Sequence, residues 1–197
     1  NNLVIKYLET YKHNNPFKDL YFSLLPKYQE NILDDIIKAL ASSLEESMFY
    51  FNMRYELGSG FGYGAGPLFQ CNNDKLKNAC KEFSYILPER FADMCPVCNF
   101  RDDGAQMEFS DFFVWLADNY GDNEKVLQSF SSNLGTYSYT GIGSMKGYYV
   151  NRKNMFKPLF SHPNPKVAAW AENMYKMEEQ EVNYQQLLDD YRDMTKG

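Results

Sequence analysis

Four cysteines come first among the residues that could do chemistry: Cys71, Cys80, Cys95 and Cys98. Their spacing is C-x8-C-x14-C-x2-C, and only the CPVC pair has the close spacing of a zinc knuckle. A zinc site made of cysteines alone needs four converging thiolates, and these four are the weak metal candidates of the chain. Cys80 falls on an apolar helical column, which by itself explains it as a small core residue. A thioredoxin-like redox role for CPVC would need a surrounding βαβ unit, and no such pattern flanks it. Four cysteines in 197 residues are too sparse for a secreted disulfide scaffold, so reduced thiols in a cytoplasmic chain are expected.

The segment GSGFGYGAGP, 58–67, offers glycines for a phosphate cradle. A phosphate-binding loop needs Gly-Lys-Ser/Thr opening a helix, and neither Lys nor Ser/Thr follows here. A dinucleotide fingerprint on Gly60, Gly62 and Ala65 would need a helix at once, whereas Pro67 to Gln70 delay the next one to about Asn73. The segment therefore reads as a long inter-helix loop carrying Phe61 and Tyr63. A second loop, GTYSYTGIGSMKGYY, 135–149, combines Tyr137, Tyr139, Tyr148 and Tyr149 with glycines. Tyr beside Gly and Ser makes adaptable contact loops, so these six aromatics are the candidate partner-binding residues. An ordered cover over helix ends is the plainer alternative.

Neither of the two histidines, His13 and His162, has an obvious Ser or Cys nucleophile nearby in sequence. The carboxylate pairs Asp34-Asp35 and Asp102-Asp103 are adjacent, and helical neighbours point in different directions, so Asp34-Asp35 suits general acid/base work poorly. No catalytic residue and no cofactor is expected. The chain carries 20 basic and 26 acidic side chains, a net charge of −6, which disfavours nucleic acid as the main partner. Lys75, Lys77, Lys125 and Lys166 recur near helix starts and leave a local basic stripe conceivable. No window reaches the roughly 18 unbroken apolar residues of a membrane span.

The elements that position these residues follow from a recurring column. SHPNPKVAAWAENM, DNEKVLQSFSSNL, NDKLKNACKEF and QENILDDIIKAL align on Val167, Val126, Leu76 and Ile32. Asn164, Asn123 and Asn73 stand where a side-chain oxygen can cap a first turn. Pro165, Glu124, Asp74 or Glu30 follows as a good first helical residue. One turn beyond each aliphatic lies Ala171, Phe130, Cys80 or Ile36 on the same face. The steps from Ile32 to Leu76, Val126 and Val167 are 44, 50 and 41 residues, against about 40–47 for a two-helix repeat.

A partner helix is expected before each: 16–25, 42–57 with Leu44, Met48, Phe51 and Tyr55 on its apolar face, 109–120 and 148–160. ILPERFADM, 86–94, reads as an extra helix in the long 50-residue spacing, and no stretch alternates long enough for a sheet. The segment 3–12 would be an N-terminal cap. The repeats fall at about 14–41, 42–87, 105–135 and 148–177, with a polar capping helix to about Met194, in one domain spanning 1–197. The start at Asn1 is expected to reflect a piece of a longer protein.

HPNPKVAAWAENM resembles the second-helix turn of a HEAT repeat, although Ala168 stands where the family pattern has Arg. DNEKVLQSFSSNLG, TYSYTGIGS and SHPNPKVAAWAENM together resemble the C-terminal ends of large bacterial HEAT-like proteins. The resemblance covers the last third of the chain well and the rest only through the repeat. It implies an all-α superhelix of about four stacked hairpins, HEAT/armadillo-like, with Gly/Tyr-rich loops. It implies a non-catalytic module that binds a protein or peptide. The alternatives are a nucleic-acid-binding HEAT-like module and a zinc-stabilised accessory domain of an enzyme.

Overall fold

In the computed structural model the described residues are 29–44, 47–58, 66–100, 107–135 and 145–195. They are mostly helical. Eight α-helices occur among them, in the order α1 (Gln29–Ser42), α2 (Met48–Leu57), α3 (Asn73–Glu82), α4 (Leu87–Met94), α5 (Asp111–Tyr120), α6 (Glu124–Gly135), α7 (Lys146–Met155) and α8 (Pro165–Met194). Short 3-10 turns, Pro67–Gln70 and Lys157–Ser161, precede α3 and α8. The expected segments 3–12 and 16–25, His13, and Asp102-Asp103 lie outside the described residues.

Capping chemistry sets most helix starts. Asn164 Oδ1 accepts from the Lys166 amide at 2.9 Å, and Asn123 Oδ1 accepts from the Lys125 amide at 3.0 Å. The third cap differs from expectation by one residue. Asn72, not Asn73, accepts from the Asp74 and Lys75 amides, so Leu76 stands four residues past its cap rather than three. With two adjacent asparagines, composition alone could not choose the cap. Leu76, Val126 and Val167 are fully buried, as are Ile36, Cys80, Phe130 and Ala171 one turn on; Ile32 is only partly covered.

The helix α2 corrects the expected 42–57 element. It begins only at Met48, where Ser47 Oγ accepts from the Tyr50 amide at 3.1 Å. Leu44, Met48 and Phe51 are exposed, and the buried face is Tyr50, Met53 and Leu57. MFYFNMRYEL is aromatic or apolar nearly all round, so its periodicity does not select a face; packing against α4 does.

A two-stranded antiparallel hairpin interrupts the expected all-helical pattern. The strand β1 (Cys98–Phe100) pairs with β2 (Met107–Phe109), Asn99 opposite Glu108. Because β2 takes up 107–109, α5 starts at Asp111 rather than at 109. Ser110 joins the two elements: its amide donates to the Val97 carbonyl at 3.0 Å, and its Oγ caps α5 by accepting from the Phe113 amide at 3.2 Å. The expected 148–160 helix likewise divides, α7 ending at Met155 and a 3-10 turn starting at Lys157, because Pro158 cannot continue the α-helical ladder.

The helix α4, which the sequence presents as an insertion, packs against α1, α2, α3, α5 and α6. Its Arg90 guanidinium donates to the Leu40 carbonyl and to Ser43 at the end of α1, satisfying carbonyls that a helix terminus leaves open. The core is aromatic. Phe69, Phe91 and Phe112 meet edge to face, with centroids 5.1–6.2 Å apart. Phe113 contacts Phe130 at 4.1 Å, and Trp170 of α8 meets Phe113, Phe130 and Phe156 within 5.9 Å. The Trp170 indole donates to Ser131 Oγ at 2.9 Å, so the ring is buried without orphaning its N–H. A Cβ at Gly121 would collide with the Val167 side chain, which is why the α5–α6 turn carries glycine where α8 passes.

Candidate functional site

Phe61, Tyr63, Tyr137 and Tyr139 lie outside the described residues. Tyr148 and Tyr149 open α7 with their rings 5.3 Å apart, edge to face. Tyr148 is turned inward: its Oη accepts from Arg152 Nη1 at 3.3 Å. Arg152 in turn pairs with Glu178 of α8, Nη2 to Oε1 2.7 Å, both side chains buried. Burial lifts Glu178 above the usual carboxylate range even though Arg152 pulls it down. Burial also works against the Arg152 charge, but Glu178 and Tyr148 outweigh it.

All four cysteines are free and buried. Among the described residues no group of three or more His, Cys, Asp or Glu is placed to hold a metal ion. Burial raises each thiol, Cys71 to about 11, and at Cys98 it outweighs the Arg152 charge nearby. Buried thiols held in the neutral form are core residues rather than nucleophiles. His162 Nε2 lies 2.9 Å from Asp118 Oδ1, while its Nδ1 accepts from the Asn164 amide at 3.0 Å and so braces the turn into α8.

A polar cavity of about 240 Å³ lies between α2, α4 and α6. Glu89 and Asp93, one turn apart on α4, face Lys125, Gln128 and Ser132 on one side of α6. Its charges are matched within the chain. Lys125 Nζ lies 3.2 Å from Glu89, Asn123 donates to Glu89 at 2.8 Å, Tyr50 donates to Asp93 at 3.2 Å, and Arg54 pairs with Asp93 at 3.5 Å. Burial, with Asp93 beside it, pushes the Tyr50 phenol above its ordinary range. The cavity is a salt-bridged seam between helices, and no histidine or cysteine lines it among the described residues.

The lysines of the conceivable basic stripe have partners at the surface of the chain. Lys75 pairs with Asp34 at 2.8 Å, Lys125 with Glu89, and Lys166 donates to the Asp122 carbonyl at 2.9 Å. Lys77 sits 5.8 Å above the Trp115 ring.

The feature least explained by internal packing is α8. Its first half buries Val167, Trp170, Ala171 and Met174, and the same face continues through Glu178 and Val182. Its other side carries Met177, Tyr184, Leu187, Tyr191 and Met194, all exposed; Leu187 and Tyr191 are 66 % and 67 % accessible. At 100° per residue Leu187 lies about 140° round the helix from Val182, so α8 is apolar on opposite faces. The many Glu, Gln and Asp residues make this half read as a polar cap in sequence, and none of the stripe residues stands among the expected contact residues. The available signal was the spacing of Tyr184, Leu187, Tyr191 and Met194. No helix of the described residues is long and apolar enough to cross a membrane. Compared with known proteins, the chain matches no family model, no curated protein and no solved structure.

Proposed function

We propose that this chain is a non-catalytic module that binds a protein or peptide. The observation that carries the reading is the second apolar face of α8, which the described residues leave uncovered over its last five turns. A surface helix that faces only water carries charged and polar residues there. A contiguous exposed stripe of Tyr, Leu and Met is instead the composition of a recognition surface.

A HEAT/armadillo-like stack of helical hairpins is the architecture we infer for the module. Its support is that α3, α6 and α8 each open on an asparagine cap and bury an aliphatic three or four residues on, Leu76, Val126 and Val167, then Cys80, Phe130 and Ala171 one turn further. Nucleic-acid binding gains nothing from Lys75, Lys125 and Lys166, which already have partners within the chain.

The test is a photo-crosslinking amino acid placed at Leu187 or Tyr191 of the whole chain, produced in its own cell. A discrete adduct with a polypeptide from these positions, and none from the exposed position 172, is the expected result. No adduct from either position would overturn the reading.

A further inference from the structure

We propose that the free edge of β2, with the groove beside it, binds an extended polypeptide segment as a third strand. This site shares no residue with the α8 stripe and goes beyond it. Ser110 fixes which backbone groups are spare. Its amide donates to the Val97 carbonyl, so Val97 and Ser110 face each other as a hydrogen-bonded pair continuing the hairpin register. Bonded and non-bonded pairs alternate along an antiparallel ladder. Glu108 therefore bonds across to Asn99, whereas Met107 and Phe109 turn their N–H and C=O to the opposite edge. Among the described residues no other strand lies on that edge, and neither Met107 nor Phe109 makes a backbone hydrogen bond there.

A groove of about 580 Å³ follows the edge, within the roughly 300–1,000 Å³ of ligand-binding clefts. Met107 and Phe109 point to one face of the hairpin and Glu108 to the other, yet all three line the groove and no residue of β1 does. A hollow that touches both faces of one strand, and that strand alone, lies along its free edge. Val114, Met155 and Leu159 make the lining apolar. Asn151 and Asn154, three residues apart on α7, bring two carboxamides to it from one helix face.

The hydrogen-bonding pattern selects the occupant. Met107 and Phe109 offer two donors and two acceptors at a repeat of about 7 Å, which an extended main chain matches and a hydrocarbon does not. The two carboxamides each donate and accept, as a peptide backbone requires. Phe109 meets Phe156, the residue after Met155, at 5.5 Å, so the Met107 and Phe109 face of the hairpin is the apolar one. A paired segment sets every second side chain on that face, and those positions are apolar. Charge removes an anionic amphiphile: the only charged residue lining the groove is Glu108, so a lipid carboxylate or phosphate meets repulsion and no counter-charge. A second folded copy is removed by shape. Met107 is only 8 % accessible, so the edge is recessed, and the equally recessed edge of another copy does not reach it.

The experiment uses the whole chain and a fluorescent peptide of alternating Val and Thr with Lys at each end. Fluorescence anisotropy should give a Kd of about 0.1 mM or tighter. N-methylation of one alternate set of amides should cost about tenfold or more, and methylation of the other set, which faces away, less than about twofold. Bound peptide should slow hydrogen exchange of the Met107 and Phe109 amides about tenfold or more, while Glu108, already in the ladder, stays unchanged. Val114 is partly exposed, so Val114→Lys leaves the fold intact and should cost about tenfold in affinity. Asn151→Ala/Asn154→Ala should cost about threefold or more.

No binding up to about 1 mM peptide, equal losses from the two methylated peptides, or unchanged affinity in Val114→Lys would each overturn the proposal. Displacement of the peptide by dodecanoate would overturn it in favour of an amphiphile. A dimer in sedimentation equilibrium that Val114→Lys dissolves would overturn it in favour of a second copy. Crosslinking from Leu187 or Tyr191 reads a different surface, so the two sites stand or fall separately.

Discussion

Arg152 on α7 and Glu178 on α8 form an ion pair at 2.7 Å whose side chains are only 8 % and 4 % accessible. The pair ties α7 to the middle of α8. Arg152 Nε and Glu178 Oε2 have no hydrogen-bond partner among the described residues, so the pair satisfies its members incompletely. Removing one member leaves a buried charge alone. Arg152→Met or Glu178→Leu should each cost about 3–5 kcal/mol. The double variant should recover most of that loss, since an apolar pair needs no compensation. Urea unfolding of the four proteins as a double-mutant cycle measures this, and additive losses would contradict it.

Thiol access gives a second expectation. All four cysteines are buried, and Cys71 is raised to about 11. A chromogenic thiol reagent at pH 8 should label none of them in the native chain and all four in guanidinium. A raised folded pKa favours the neutral thiol. Its contribution to stability is therefore complete below the unfolded value of about 8.5 and is lost as pH rises toward 11. Cys71→Ala should remove one thiol's share of that alkaline decline in urea midpoints measured between about pH 8 and 11, the other three raised thiols keeping the rest.

The helix caps should separate cleanly. Asn72→Ala and Asn164→Ala each remove a side-chain acceptor from first-turn amides and should cost about 1 kcal/mol. Asn73 Oδ1 makes no hydrogen bond among the described residues, so Asn73→Ala should cost less than about 0.5 kcal/mol. Asn123→Ala should cost about as much as Asn164→Ala, because each asparagine also donates from its Nδ2, Asn123 to Glu89 and Asn164 to Asp122. Denaturation midpoints rank the four.

The face of α2 can be read by charge scanning. Met53 is fully buried and Phe51 is exposed. Met53→Lys should unfold or severely destabilise the chain, whereas Phe51→Lys should shift stability by about 0.5 kcal/mol or less. Equal effects would mean that α2 packs differently.

The aromatic centre supplies the fifth. Phe113 contacts Phe109, Phe130 and Trp170, and the ring is fully buried. Phe113→Ala should cost about 3–5 kcal/mol, since the neighbouring rings can only partly close the space. Near-ultraviolet circular dichroism of Trp170 should collapse with it.

Local chemistry made much of this chain legible. Asn164 followed by Pro165 announced α8, Asn123 followed by Glu124 announced α6, and Pro88 with its apolar neighbours announced α4, because caps and first-turn preferences act over a few residues. The burial of Leu76, Val126 and Val167 followed from periodicity for the same reason. Other features depend on groups far apart in sequence, and only the tertiary structure decided them. The helix α4 became a hub rather than an insertion because Arg90 finds its acceptors at Leu40 and Ser43, about fifty residues away. The aromatic segment 48–57 could bury either face until α4 covered one. The stripe of α8 shows the same division: its spacing is written in the sequence, but only the packed core reveals that Val182 faces inward and that Leu187 is left outside.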